Sequence, residues 1–249
     1  MARWKAVLFD LDGTLYDFHR CWRQGTRSAI EDHLARFPAG ESGALPAVLA
    51  TLDHYNGPLF TEVDRGRLDL LIARRLRYLL TAVRHGWDTS DEAVEAFLTI
   101  HLERVIAAVQ PRPDLRPTLR ALKQQHHLRL GIVTNGPPDQ QRAKLERLGV
   151  LSYFDPAAVM VSGERGYAKP DPRIFHDALS ALKRSPQDAL YVGDSWPSDV
   201  LGALATGLDV AWFNPDGKPR PDDALPPSPG TLYEIARLEE VLTLVDSSQ

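Results

Sequence analysis

Apolar and polar positions alternate along this chain with two different periods, and the change between them sets its organisation. Residues 4 to 10 are a short buried-strand pattern, Ala6-Val7-Leu8-Phe9, broken by Gly13. From Tyr16 to about Val109 apolar residues return every three or four positions with almost no strand-like alternation. That spacing predicts helices over Cys21 to Phe37, Leu45 to Tyr55, Val63 to Arg84 and Ser90 to Val109, the last capped by Ser90, Asp88 or Thr89. Breaks are expected at Pro38 to Gly43, at Asn56-Gly57-Pro58 and at His85-Gly86-Trp87-Asp88.

Beyond Pro111-Arg112-Pro113 the pattern becomes one of short apolar runs separated by helices, as in repeated βαβ units. Strands are predicted at Leu128 to Val133, Ala158 to Ser162, Ala189 to Val192 and Val210 to Phe213. Helices are predicted near Leu115 to Gln125, Pro138 to Leu148, Pro172 to Leu182 and Asp199 to Ala205, with Gly149 and Gly207 as left-handed caps. Asn214 to Gly230 reads as a proline-rich exposed loop, followed by a short strand at Leu232 to Ile235 and a closing helix over Leu238 to Val245. The expected fold is therefore α/β, a parallel Rossmann-like sheet begun by residues 4 to 10, interrupted by an inserted α-helical segment, then resumed. An insertion of that size is most simply a second, lid-like domain, giving a core of residues 1–15 and 112–249 and a helical cap of residues 16–111.

Composition narrows the class. With 249 residues, 43% hydrophobic and 25% charged, the chain has the makeup of a globular protein able to bury a sizeable core. A net charge of -4 with scattered arginines gives no footprint for a nucleic-acid polymer or a membrane surface. The lone Cys21 excludes an intrachain disulfide, acids at Asp10 and Asp12 interrupt any leader-like start, and no stretch has spanning length, so a cytoplasmic location is expected.

Chemistry collects at the predicted strand ends, which lie on one edge of a parallel sheet. Asp10 and Asp12 project to the same side of an extended chain, and two such carboxylates require a cation or a shared proton. Alone, the pair is also consistent with a polar turn. The second strand runs into Thr134-Asn135-Gly136, a hydroxyl, an amide and an unobstructed backbone suited to phosphoryl oxygens, or again a common turn. Lys169 precedes the stiff turn Pro170-Asp171-Pro172, where it can bring a charge to a fixed point or extend into solvent. Asp194 ends the fourth strand, placed to hold a metal. Asp199 follows as an acid able to orient Lys169 or a metal-bound water, or as a helix cap.

Taken in order, Asp10, Asp12, Thr134, Lys169, Asp194 and Asp199 resemble the four motifs of the haloacid dehalogenase-like superfamily, and the helical insertion resembles its C1 cap. The cap entry at Tyr16 to Trp22 and the Gly193-to-Asp199 spacing look most like the branch of pyrimidine 5'-nucleotidases and N-acylneuraminate phosphatases. The resemblance implies strand order 5-4-1-2-3 and a Mg²⁺-dependent phosphomonoester hydrolase. Asp10 would be the nucleophile that becomes an aspartyl phosphate, and Asp12 the acid and base. Asp10, Asp194 and the Asp12 carbonyl would hold Mg²⁺, with Thr134, the Asn135 amide and Lys169 on the phosphoryl oxygens. The ligand would be a small phosphate ester, a nucleoside monophosphate among the candidates. A phosphomutase shares both aspartates; a haloacid dehalogenase resembles the pattern with a non-acidic residue at Asp12; a binding or regulatory relative is expected to lack a charged motif residue, and none is missing here.

In the helical segment Tyr16, Phe18, Trp22, His54, Tyr55 and Phe60 are candidates to stack on a base or sugar at the cap opening, or to fill the cap core. Arg67, Arg74, Arg75 and Arg77 are equally open to two readings, a part in substrate choice or, as an arginine-rich helix usually is, a solvated face. Neither the substrate nor the choice between monomer and homodimer is encoded legibly.

Overall fold

The computed structural model describes residues 3–36, 45–64, 67–222 and 225–247. The chain forms two compact units, one of Met1–Phe18 with Val109–Gln249 and one of His19–Ala108.

The first unit is built on a parallel sheet. Its strands are β1 (Ala6–Phe9), β2 (Arg129–Thr134), β3 (Val159–Val161), β4 (Ala189–Gly193), β5 (Asp209–Phe213) and β6 (Leu232–Ile235), in the order β3-β2-β1-β4-β5-β6. This is the expected order with the terminal strand added at the β5 edge. β1 pairs with β2 and β4, Phe9 opposite both Ile132 and Val192, so the carboxyl ends of the three central strands, Phe9, Thr134 and Gly193, lie along one edge of the sheet. The order in which strands are added reverses between β1 and β4, the place where such sheets form a ligand crevice. Every residue of β1, β4 and β5 is buried, which explains their unbroken apolar runs.

Helices supply the cover: α5 (Leu115–Gln124), α6 (Pro138–Leu148), the short α7 (Ser162–Arg165), α8 (Pro172–Leu182), α9 (Leu201–Ala205) and α10 (Glu240–Ser247), numbered after four helices of the other unit. Leu8, Val133 and Tyr191 on one sheet face pack with Ile174, Phe175 and Leu179 of α8 and with Ala203 and Leu204 of α9. At the far edge Asp209, buried in β5, accepts from Trp4 Nε1 at 2.7 Å, from Arg3 at 2.7 Å and from the Thr231 amide at 2.7 Å, tying the amino-terminal segment and β6 to the sheet.

Two local expectations change. β3 stops at Val161, and Ser162 instead opens α7, its hydroxyl accepting from the Gly136 amide at 3.0 Å. A helix was also expected from Asp199; the backbone there makes a wide turn over Trp196–Val200, and α9 starts only at Leu201. The turn closes because the amides of Asp199 and Val200 both donate to Ser195 O, at 2.8 and 3.1 Å.

The second unit contains α1 (Phe18–Arg36, all but its first residue), α2 (Leu45–Asp64), α3 (Leu70–His85) and α4 (Asp91–Ala107). Its core joins Ile30, Val48, Leu52, Tyr78, Ala82, Trp87, Val94 and Phe97. Ser90 caps α4 through the Ala93 amide, and Gly86 ends α3 with φ 68°. The break expected at Asn56-Gly57-Pro58 is absent, because α2 continues through Pro58 to Asp64. Proline removes one amide donor and costs about 3 kcal/mol inside a helix. Gly57 and Pro58 are exposed while the apolar positions before and after them, Leu52 and Leu59, stay on the packed side, so the burial is retained across the defect. The actual break follows Asp64, and Asp69 restarts the chain by accepting from the amides of Leu71 and Ile72 at 2.8 and 3.1 Å. The break expected at Pro38 to Gly43 lies outside the described residues. Among the described residues no helix is long and apolar enough to cross a membrane. Cys21 is buried and in no disulfide.

α1 and α4 approach closely at Gly25, where an added Cβ would stand 2.5 Å from the Val105 amide nitrogen. Gly25→Ala must push two helix backbones apart and is expected to destabilise the protein by about 1–3 kcal/mol in urea titrations. Gly57→Ala meets nothing within 4 Å and should instead stabilise α2 by roughly 0.5–1 kcal/mol.

Candidate active site

Three loops leave the carboxyl edge of the sheet side by side. After β1 comes Asp10, 4% exposed, with its amide donating to Val192 O of β4 at 2.9 Å. Gly13 then turns the chain with φ 93°; a Cβ there would lie 2.6 Å from the Asp194 carboxyl carbon, so only glycine lets the two loops meet. The Thr14 hydroxyl donates to Asp194 Oδ1 at 3.2 Å.

Lys169 is buried at the centre of this group. Its ammonium donates to Asp10 Oδ1 at 2.5 Å, to Asp199 Oδ1 at 2.7 Å and to the Tyr191 hydroxyl at 3.1 Å. Tyr191 in turn donates to Asp199 Oδ1 at 2.8 Å, and Asp199 Oδ2 accepts from the Ser195 amide at 2.9 Å. Both oxygens of Asp199 are thus committed. The wide turn at Trp196–Val200 serves this placement by folding the carboxylate back over Gly193, where a Cβ would be 2.6 Å from Asp199 Oδ2.

Asn135 acts on the same lysine from β2. Its side chain donates to Lys169 O at 3.0 Å and accepts from the Lys169 amide at 2.9 Å, a clip across two loops. Thr134 is fully buried, and its hydroxyl accepts from Gln141 Nε2 at 2.6 Å.

Asp12 has a separate set of partners. Lys144 donates to its two oxygens at 2.9 and 2.7 Å, Gln141 reaches Oδ2 at 3.0 Å, and the buried Tyr16 hydroxyl makes a short hydrogen bond to Oδ1. None of these partners was singled out for this role from the sequence. Gln141 and Lys144 sit three residues apart on α6 and so share a face, a spacing visible in the chain but without meaning until α6 is placed beside β1. Tyr16, expected at a cap opening, belongs to the sheet unit.

The charges are unequal in consequence. Burial pushes the Asp10 carboxyl well above its ordinary range, opposed by Lys169 and reinforced by Asp199, Asp194 and Asp12. Burial also raises Asp194, with Asp199 adding and Lys169 and Thr14 opposing, to about 7. Burial works upward on Asp12 too, but the Lys144 charge and the hydrogen bonds from Lys144, Tyr16 and Gln141 prevail and hold it below the usual carboxylate value. Lys169 is desolvated, yet Asp10 and Asp199 keep it firmly protonated.

Oxygen atoms of Asp10, Asp194 and Asp199 all lie within 4.8 Å of one another. An all-carboxylate group of this kind, partly open at Asp194, fits a hard divalent cation and lacks the imidazole or thiolate ligands of a zinc site. The edge therefore combines a buried carboxylate on a fixed ammonium with a second acid on its own cation.

Comparison with known proteins agrees with this constellation. Residues 4–207 match the family model described as haloacid dehalogenase-like hydrolase. The chain is 41% identical over 243 residues to a phosphoserine phosphatase of Thermus thermophilus, covering 89% of this chain and 93% of that protein. It is 33% identical to a glyceraldehyde 3-phosphate phosphatase of Methanopyrus kandleri, with 97% of each covered, and 29% identical to the pyrimidine 5'-nucleotidase YjjG of Escherichia coli, with 96% and 98% covered. Among solved structures, the HAD-hydrolase YfnB of Bacillus subtilis bound to magnesium superposes with a TM-score of 0.80 at 25% identity, covering 98% of this chain and 99% of that one. The chain belongs to the haloacid dehalogenase-like hydrolases, and within them it is an enzyme of the phosphatase kind.

Proposed function

We propose that the protein hydrolyses a small phosphate monoester through an aspartyl phosphate on Asp10, with Mg²⁺ as its cofactor. The observation that carries this reading is the division of labour between the two neighbouring acids, Asp10 on Lys169 and Asp12 on Lys144. A carboxylate oxygen of Asp10 attacks phosphorus, the ester P–O bond breaks, and the leaving oxygen takes a proton from Asp12. Water then gives a proton to Asp12 and attacks the same phosphorus, breaking the acyl phosphate bond and releasing phosphate and free Asp10.

Asp12 is ionised in the free protein, as Lys144 dictates. An incoming phosphate dianion is a like charge beside it and favours its protonated form, which the first step requires. Because Thr134 Oγ1 accepts from Gln141, its own hydrogen is left to donate to a phosphoryl oxygen. Lys169 and the Asn135 backbone amide supply further donors there, and Asn135 through its side chain sets where Lys169 stands. Asp10, Asp194 and the Asp12 carbonyl would hold Mg²⁺, which neutralises charge on the phosphoryl group when bound. Asp199, with both oxygens already engaged, positions Lys169. An acid at Asp12 with its own cation is what a dehalogenase does not need. The range of named relatives, acting on phosphoserine, glyceraldehyde 3-phosphate and pyrimidine nucleotides, supports a small phosphorylated metabolite, and substrate choice is assigned to the helical unit acting as a cap.

Purified protein with Mg²⁺ should release phosphate from p-nitrophenyl phosphate, and Asp10→Asn should lower kcat by about 10⁴-fold or more; undiminished turnover would refute the mechanism. Lys144→Met removes the partner that aims Asp12, so kcat should fall roughly 10–100-fold with little change in KM, and Lys144→Arg should recover part of it. The raised pKa of Asp194 gives a signed pH effect. The folded protein binds more protons than the unfolded chain between the ordinary carboxylate pKa and about 7, so metal-free stability should decline as pH rises through that window. Mg²⁺ should then raise Tm more at pH 8 than at pH 5, by roughly 2–4 °C per kcal/mol of binding free energy, which differential scanning calorimetry would measure.

A further inference from the structure

The helical unit contains a buried cation that its fold leaves incomplete. Arg77, on α3, is 3% exposed. Its guanidinium donates to Asn56 Oδ1 at 2.6 Å and stands 5.4 Å from the Trp22 ring centroid and 5.2 Å from that of Phe60. Ion pairs among the unit's described residues fall on Arg27, Arg67, Arg75 and Arg104 and leave Arg77 out. The side chain, ambiguous in the sequence, is inside, and without a carboxylate ion-pair partner among the described residues.

That arrangement is expensive for a purely structural position. A guanidinium has five donors, and one is used here. Burial, with the charge of Arg74 adding and Asp53 opposing, lowers its pKa to about 10, so the positive charge persists at neutral pH. The same field bears on His101, which burial first and then Arg77 and Arg74 bring down to about 3; its ring stays neutral and bonds to the Thr26 hydroxyl at 2.8 Å. Two aromatic faces stabilise a cation but cannot occupy its in-plane donors. Trp22, Asn56 and Phe60 are each only half-buried, so the rim of the cluster meets solvent although its centre does not.

We propose that Arg77, framed by Trp22, Phe60 and Asn56, is a binding site for a small oxyanion, and that a planar carboxylate is its best match. A fork of parallel N–H donors pairs with the two carboxylate oxygens, and the flanking rings hold the guanidinium plane and exclude competing water. The carboxylate comes either from the phosphate ester itself or from a free organic acid.

The first arm of the test is independent of catalysis: malonate is titrated into the full-length protein without Mg²⁺ or substrate, followed by calorimetry and by tryptophan fluorescence, since Trp22 adjoins the site. Saturable binding is expected, lost in Arg77→Met, weakened about tenfold in Arg77→Lys, and retained in Thr134→Ala. Equal binding to wild type and Arg77→Lys, or no binding to folded wild type, overturns the proposal, and Arg77→Lys decides should Arg77→Met fail to fold. The second arm rests on the phosphatase reading and compares kcat/KM for phosphoglycolate and p-nitrophenyl phosphate. A tenfold or greater fall in that ratio in Arg77→Lys supports the site and assigns the carboxylate to the substrate. An unchanged ratio alongside Arg77-dependent malonate binding supports the site with a free organic acid as its ligand. If wild type turns over neither ester, the phosphatase reading fails while the malonate result still judges the site.

Discussion

Everything at the sheet edge depends on how two lysines are shared among four carboxylates. Lys169 is bound between Asp10 and Asp199, and Lys144 is spent on Asp12. Asp194 receives neither ammonium directly among the described residues, the Thr14 hydroxyl donates to it, and burial with Asp199 beside it raises its pKa to about 7. Crowding of like charge in a desolvated place is tolerable when each acid has a named partner, and it leaves a demand for positive charge where one does not. The same allocation separates the acids chemically: Asp10 is buried on a fixed cation, whereas Asp12 is hydrogen-bonded from three directions and ionised.

The scaffold makes that allocation possible by bringing distant loops to one line. The register of Phe9 with Ile132 and Val192 sets the height of the carboxylates, and glycines remove the bulk that would keep them apart. Gly13 admits Asp194, and Gly193 admits Asp199. The Asn135 side chain braces the Lys169 backbone, so the loop after β2 controls the position of a charge that belongs to another loop.

The helical unit solves a different problem. It builds its core from aromatic side chains mixed with histidines, Tyr78, Trp87 and Phe97 around His33, and brings α1 and α4 to backbone contact at Gly25. α2 accepts a proline in its interior because the defect points outward while the apolar side continues. Against that apolar background Arg77 is buried with no carboxylate ion-pair partner among the described residues, and the physical cost of that burial distinguishes it from the paired arginines around it.

Some of this was present in the chain as written. Unbroken apolar runs such as Ala6 to Phe9 mark strands covered on both faces, helical spacing marks the insertion, and acids or hydroxyls directly after those runs identify the working edge of the sheet. These are local properties, encoded by neighbours in sequence. The order of strands came from the family resemblance and not from the pattern itself, whereas the meeting of Asp10 with Asp194 was legible because strand ends in a parallel sheet must share an edge. What lay beyond reach were pairings made across layers: Lys144 and Gln141 with Asp12, Tyr191 with Lys169, and Arg77 among Trp22, Phe60 and Asn56. Periodicity fixes which face of a helix is apolar, but the partner of a single buried polar atom is set by the rotation and height at which two elements meet, and only the folded chain decides those.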